Sequence, residues 1–178
     1  MNKIRSGLIS ILSILMLGCQ SVSHPPIAPV DYVDIDRFMG DWYVIANIPS
    51  YIEKGAHNAV ESYQLNEDGS IATTFTFRDG SFDGELKTYH PKGFVKDHPS
   101  NALWGMQFVW PIRADYRIVY LTDDYSQVII ARNKRDYVWM MARQPQISDT
   151  DYAYMVTLIE AMGYDVSKIK RVPQQWPK

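Results

Sequence analysis

The residues able to do chemistry in this chain of 178 residues are few and scattered. The single cysteine, Cys19, stands in the stretch LMLGCQ, and the four histidines are His24, His57, His90 and His98. A catalytic thiol needs an activating base held beside it in a folded pocket. Cys19 instead closes an apolar run and is followed by the proline-rich QSVSHPPIAPV, so it has neither. The histidines lack metal-ligand spacing such as H-E-x-x-H, and no G-x-S-x-G elbow occurs. Asp123 and Asp124 fall in a turn, where carboxylates commonly support the backbone. The expectation is therefore no catalytic residue, no metal and no cofactor. A lone cysteine also excludes an internal disulfide.

The remaining resource is apolar. Hydrophobic residues make up 46% of the chain and aromatics 13%, which argues for a packed domain. The formal net charge is −2 with both signs interspersed. Without a basic stripe, nucleic acid is an unsuitable partner.

Lys3 and Arg5 precede an apolar run over residues 8–17. That run is shorter than the roughly 20 residues needed to span a bilayer, and it suits a signal peptide over residues 1–18. Gly18-Cys19 at its end resembles a bacterial lipobox, with Met16 where that pattern prefers leucine. The resemblance implies cleavage before Cys19 and lipidation of Cys19 as the new N-terminus. Gln20 after it, not aspartate, implies sorting to the outer membrane. Residues 19–30 would then form a lipidated, proline-rich tether, and residues 31–178 one domain. The partner implied is a membrane, engaged through acyl chains that contribute roughly 0.8 kcal/mol per buried methylene.

Strand patterns recur through that domain. They fall at residues 41–48, 61–65 and 71–77 on either side of Glu67-Asp68-Gly69, 84–95 with a break at Pro91, 102–110, 116–121, 126–133 and 137–143. Eight short strands with short connections predict an antiparallel sandwich or up-and-down barrel. One helix follows, with Ser148 as N-cap, Asp149 and Asp151 in its first turn, an apolar stripe through Tyr152, Met155, Ile159 and Met162, and Gly163 as its stop.

Alternation sorts the side chains into faces. One face collects Trp42, Val44 and Ala46; Tyr63 and Leu65; Ile71, Thr73, Phe75 and Phe77; Trp104, Met106, Phe108 and Trp110; and Tyr137, Trp139, Met141 and Arg143. An eight-stranded barrel is just wide enough to be filled by side chains or to hold one small ligand, and composition does not decide between these. A hollow interior lined by Tyr63, Phe75, Phe77, Trp104, Met106, Phe108, Tyr116 and Trp139 would suit an acyl chain. Tyr51 and Lys54, in the loop after the first strand, are candidates for contacting a headgroup at the mouth. A filled barrel would instead be a structural envelope protein.

Gly40-Asp41-Trp42 opens the first strand as the G-x-W motif opens that of lipocalins. Thr122-Asp123-Asp124-Tyr125 resembles the lipocalin T-D-x-Y turn, and Arg143 ends the eighth strand like the arginine of the third motif. RDYVWMMARQPQISD (135–149) and YDVSKI (164–169) are similar to the bacterial lipocalins, outer-membrane lipoproteins related to apolipoprotein D. The resemblance covers residues 31–172. It implies an all-β fold: an eight-stranded antiparallel up-and-down barrel closed at one end, with one C-terminal α-helix packed outside. It gives Gly40, Trp42, Thr122, Asp123, Tyr125 and Arg143 structural roles, with Trp42 under Arg143 at the closed end. It implies a fatty acid or lysophospholipid as ligand and a lipid-anchored, periplasm-facing place at the outer membrane. It allows a homodimer. Many lipocalins pin their C-terminal tail with a disulfide; this chain has no second cysteine to do so.

Overall fold

The computed structural model describes residues 24–176. Cys19 and the expected signal peptide lie outside the described residues. A short helix, α1 (Ile35–Phe38), is capped by Asp34, whose side chain accepts from the Arg37 amide. Then come β1 (Gly40–Ile48), β2 (Ala56–Leu65), β3 (Ser70–Asp79), β4 (Leu86–Tyr89), β5 (Lys92–Val95), β6 (Leu103–Val109), β7 (Ile112–Leu121), β8 (Gln127–Ala131) and β9 (Val138–Ala142). Neighbours pair antiparallel in sequence order, and β9 returns to β1, which closes the sheet. β4 and β5 both pair with β3, so they are two halves of one stave. The break falls at His90-Pro91, because proline has no N–H for the ladder. The result is a closed eight-stranded barrel.

One helix, α2 (Asp149–Ala161), follows the barrel, with the Ser148 side chain accepting from the Asp151 amide as expected. Its Met155 and Ile159 pack on Ala46, Ile48, Ile129 and Met140, which point outward from β1, β8 and β9. Val128, Ile130 and Met141 of the same strands point inward. These strands are buried on both faces, which is why VIIA and VWMMA read as unbroken apolar runs. A final short strand, β10 (Lys170–Arg171), adds to β1 outside the barrel. Among the described residues, no helix is long and apolar enough to cross a membrane.

The structure corrects three expectations. Trp42, Val44 and Ala46 do not share a face. The β1–β9 register shifts between Val44 and Ala46, and this bulge reverses the parity that follows it. Trp42 and Val44 stay inside, while Ala46 and Ile48 turn out under α2 and Asn47 is buried. Similarly, β6 shifts register after Met106, and Trp110 stands 82% exposed instead of facing inward. Finally, residues 24–30 were expected to belong to a free tether, yet they lie along the barrel. Ile27 is buried, and its amide donates to Asn133 Oδ1 at 2.8 Å. The Val30 amide donates to the Ile118 carbonyl at 2.9 Å. Prolines remove N–H groups from this segment, and the chain uses the few that remain.

Candidate ligand-binding site

The barrel is stoppered at one end. Gly40 opens β1 with φ +93°, and a Cβ there would come within 3.4 Å of Arg143 Nη1. Glycine thus supplies both the backbone angle and the room for the guanidinium. Arg143 lies 3.9 Å from the Trp42 ring centre and donates to the carbonyls of Arg37, Phe38, Met39 and Asp41. Trp42 Nε1 in turn donates to the Phe38 carbonyl at 2.9 Å. In the turn between β7 and β8, Thr122 Oγ1 accepts from the Ser126 and Gln127 amides, each at 3.0 Å. The Asp123 carbonyl accepts from Arg37 Nη2 at 2.9 Å. Tyr125, held at φ 59°, accepts from the Asp34 amide at 2.8 Å and lies under Arg37. These turn residues fasten α1 across the barrel end.

Above the stopper the interior is filled by aromatic packing. Phe38 meets Trp42, Tyr63 and Trp104 with ring centres 5.0, 5.6 and 5.4 Å apart. Trp104 stacks on Tyr116 at 5.3 Å and donates to the Asn101 carbonyl. Above this layer a cavity of about 490 Å³ opens between the β1–β2, β6–β7 and β8–β9 connections. That volume falls within the range of small-molecule sites.

Of the eight expected lining residues, Phe75, Met106, Phe108, Tyr116 and Trp139 face this cavity, as does Tyr51, expected at the mouth. Tyr63 and Trp104 lie beneath it in the floor layer. Phe77 is buried in the wall between Phe75 and Tyr89. Lys54 is not among the residues lining the cavity. The barrel is therefore filled in its lower half and hollow in its upper half.

Three carboxylates also line the cavity: Glu53, Glu61 and Asp115. Glu61 lies on its wall, accepting from Tyr63 Oη, which is 2.7 Å from Tyr116 Oη. Burial pushes the Glu61 carboxyl up to about 7; the Tyr63 hydrogen bond opposes this and the nearby Glu53 charge adds to it. Burial, joined by the Glu61 charge, pushes Tyr63 and Tyr116 well above the ordinary phenol value. Both phenols therefore stay protonated. Glu53 ends a single 3₁₀ turn (Tyr51–Glu53) and is held by Trp139 Nε1 at 2.7 Å and the Ser50 amide at 3.0 Å. At the rim, Arg132 lies 3.4 Å from Asp136. Burial works against ionisation of Asp115, yet the Asn133 amide and Arg117 together outweigh it and hold that carboxyl below its usual range. Glu61 was legible: it has the parity of Tyr63 on the same strand. Glu53 was not, because a loop carries it inward.

Residues 33–174 match the family model described as the lipocalin-like domain. The chain belongs to the lipocalin family. This lipocalin is 28% identical over 161 residues to the outer membrane lipoprotein Blc of Citrobacter freundii, covering 90% of each chain. It is 29% identical over 154 residues to temperature-induced lipocalin-1 of Arabidopsis thaliana, covering 80% of each. Apolipoprotein D of Bos taurus is 24% identical, with 82% of this chain and 78% of that one covered. Among solved structures, insecticyanin from the tobacco hornworm Manduca sexta superimposes with a TM-score of 0.66 at 13% identity, covering 87% of each chain. That likeness concerns the fold. Among the described residues, no group of three His, Cys, Asp or Glu side chains is placed to hold a metal ion.

Proposed function

We propose that this lipocalin carries an acyl lipid, a fatty acid or lysophospholipid, in the upper half of its barrel. It would do so while tethered at the outer membrane through Cys19 and facing the periplasm. The observation that carries the reading is the open, mainly apolar cavity walled by Phe75, Met106, Tyr116 and Trp139. A tail burying about fourteen methylenes would gain roughly 11 kcal/mol. Association costs of about 4 kcal/mol or more leave roughly 7 kcal/mol, or a low-micromolar dissociation constant. Glu53, Glu61 and Asp115 on the cavity wall would repel an anionic headgroup, so the tail enters first and the head stays near Arg132 at the rim. The relatives named outer membrane lipoproteins support the tether, as does the lipobox-like Gly18-Cys19.

Titration of delipidated protein with palmitate and with lysophosphatidylcholine, followed by the tryptophan fluorescence that is lost in Trp139→Phe, tests the ligand. One saturable site is expected. No saturable change with either lipid would overturn the reading, and mass spectrometry of co-purified lipid would identify the natural headgroup.

A further inference from the structure

We propose that the open end of the barrel is a bilayer-docking surface, so that the cavity mouth faces the membrane. Two independent observations meet there.

The first is the rim. Trp110 is 82% exposed, Ile112 69%, Val109 67% and Phe108 53%, all at the tip of the β6–β7 hairpin around Pro111. Across the mouth, Tyr51 on the β1–β2 connection is 84% exposed. Pro111 is an ordinary turn residue, but the large apolar side chains that flank it are not. An exposed cluster of large apolar side chains marks a docking surface. Tryptophan and tyrosine at its tips suit the membrane–water boundary, where the ring is apolar and its N–H or O–H meets water.

The second is where the chain enters the fold. Arg135, in the β8–β9 connection, donates to the Pro25 carbonyl at 2.7 Å and to the Met162 carbonyl at 3.0 Å. His24 packs on Gly163 just beyond α2. In an up-and-down barrel the β8–β9 connection lies at the same end as β1–β2 and β6–β7, so the chain arrives at the mouth. Cys19 precedes His24 by five positions, a reach of about 17 Å when fully extended. The ten residues of β3 rise roughly 33 Å along the strand. An acyl group on so short a leash cannot anchor the stoppered end. The leash depends on the acylation of Cys19 proposed above; the rim does not. With the mouth on the bilayer, an acyl chain passes between membrane and cavity without crossing water.

The test uses the full acylated chain, reconstituted into phosphatidylethanolamine–phosphatidylglycerol vesicles whose acyl chains carry bromine. Tryptophan fluorescence should be quenched, and most of that quenching should be lost in Trp110→Ser, which stays vesicle-bound through its acyl group. In the Cys19→Ser background, the intact rim should still bind vesicles, and Trp110→Ser/Ile112→Ser should weaken that binding roughly ten-fold. The same double variant should take up lysophosphatidylcholine as the parent does, which shows that the fold is intact. Absence of Trp110 quenching in the reconstituted protein would overturn the proposal. So would a Cys19→Ser protein that buries Trp110 in a dimer and ignores vesicles, because a second copy would then be the occupant. Equal vesicle binding with and without Cys19, with Trp110 quenched in both, refutes the anchor and upholds the docking.

Discussion

The guanidinium of Arg143 lies 3.9 Å from the Trp42 ring centre while it donates to four backbone carbonyls of residues 37–41. One side chain thus ties the end of β9 to α1 and the start of β1. The cation–π contact uses the ring face and the hydrogen bonds use the guanidinium edge, so the two do not compete. Arg143→Ala leaves four carbonyls to find new partners and uncovers the indole. A loss of about 3 kcal/mol is expected in urea unfolding followed by tryptophan fluorescence. Arg143→Lys keeps the charge but not the fork, and should fall between the two.

Glu61 makes stability depend on pH. Its folded value, about 7, stands above the ordinary 4.5 because burial disfavours the charged form. The folded protein therefore binds the proton more tightly than the unfolded chain does. The associated stability is fully present below about 4.5 and is lost as pH rises through about 7. Glu61→Gln should remove this slope and raise stability near pH 8 by on the order of 3 kcal/mol, read from unfolding midpoints at several pH values.

Ligand binding should share that proton. A lipid tail that displaces water from Glu61 raises its value further, so binding takes up a proton and weakens above about pH 7. Titrations near pH 6 and pH 8 should differ by several-fold in affinity, and Glu61→Gln should erase the difference. An unchanged ratio in the variant would assign the effect to another group.

The upper cavity can be closed without disturbing the floor. Ala114 faces the cavity from β7, opposite Met106 in the register with β6. Ala114→Trp would fill space that is empty rather than crowd a packed core, so the cost in stability should stay below about 1 kcal/mol. Lipid affinity should fall at least about ten-fold, as measured by displacement of a fluorescent fatty acid.

Arg135 holds the N-terminal segment. Its guanidinium reaches the carbonyls of Pro25, Asn133 and Met162. Arg135→Ala should release residues 24–30 and speed hydrogen exchange at the Ile27 and Val30 amides by about ten-fold or more, with β8 and β9 unchanged.

Cys19→Ser in the expressing bacterium should abolish incorporation of labelled palmitate into the protein and leave only the weaker membrane attachment made by the rim. The purified variant should bind lipid like the wild type, since no cavity residue is altered. Continued palmitate incorporation would place the acyl group elsewhere.

Parts of this molecule follow from local pattern. The strands recur because the chain alternates with period two, and the helix follows from its cap, stripe and glycine stop. G-D-W, T-D-D-Y and Arg143 stood out because they resemble the lipocalin motifs, and the structure gives the physical reason: a glycine at positive φ, a tight turn and a forked cation build the stopper. Even the inward parity of Glu61 could be read beside Tyr63.

Other parts depend on residues far apart in sequence. Alternation names a face but cannot see a bulge, so Ala46 and Trp110 were placed on the wrong side. It also gives no height within a barrel. Tyr63 and Trp104 pattern like Phe75 and Met106, yet α1 lies across one end and packs Phe38 among the first pair, leaving a cavity above the second. The proline-rich segment read as tether until Asn133, Arg135 and Ile118 supplied partners for its backbone. The sequence by itself determined the strands, the helix and the motif residues of the stopper, because these rest on local periodicity and short motifs, whereas closure of the sheet rests on the long-range pairing of β9 with β1. Only the tertiary structure decided which half is hollow, which carboxylate is held near neutrality and at which end the chain arrives, because each depends on what distant segments remove from water.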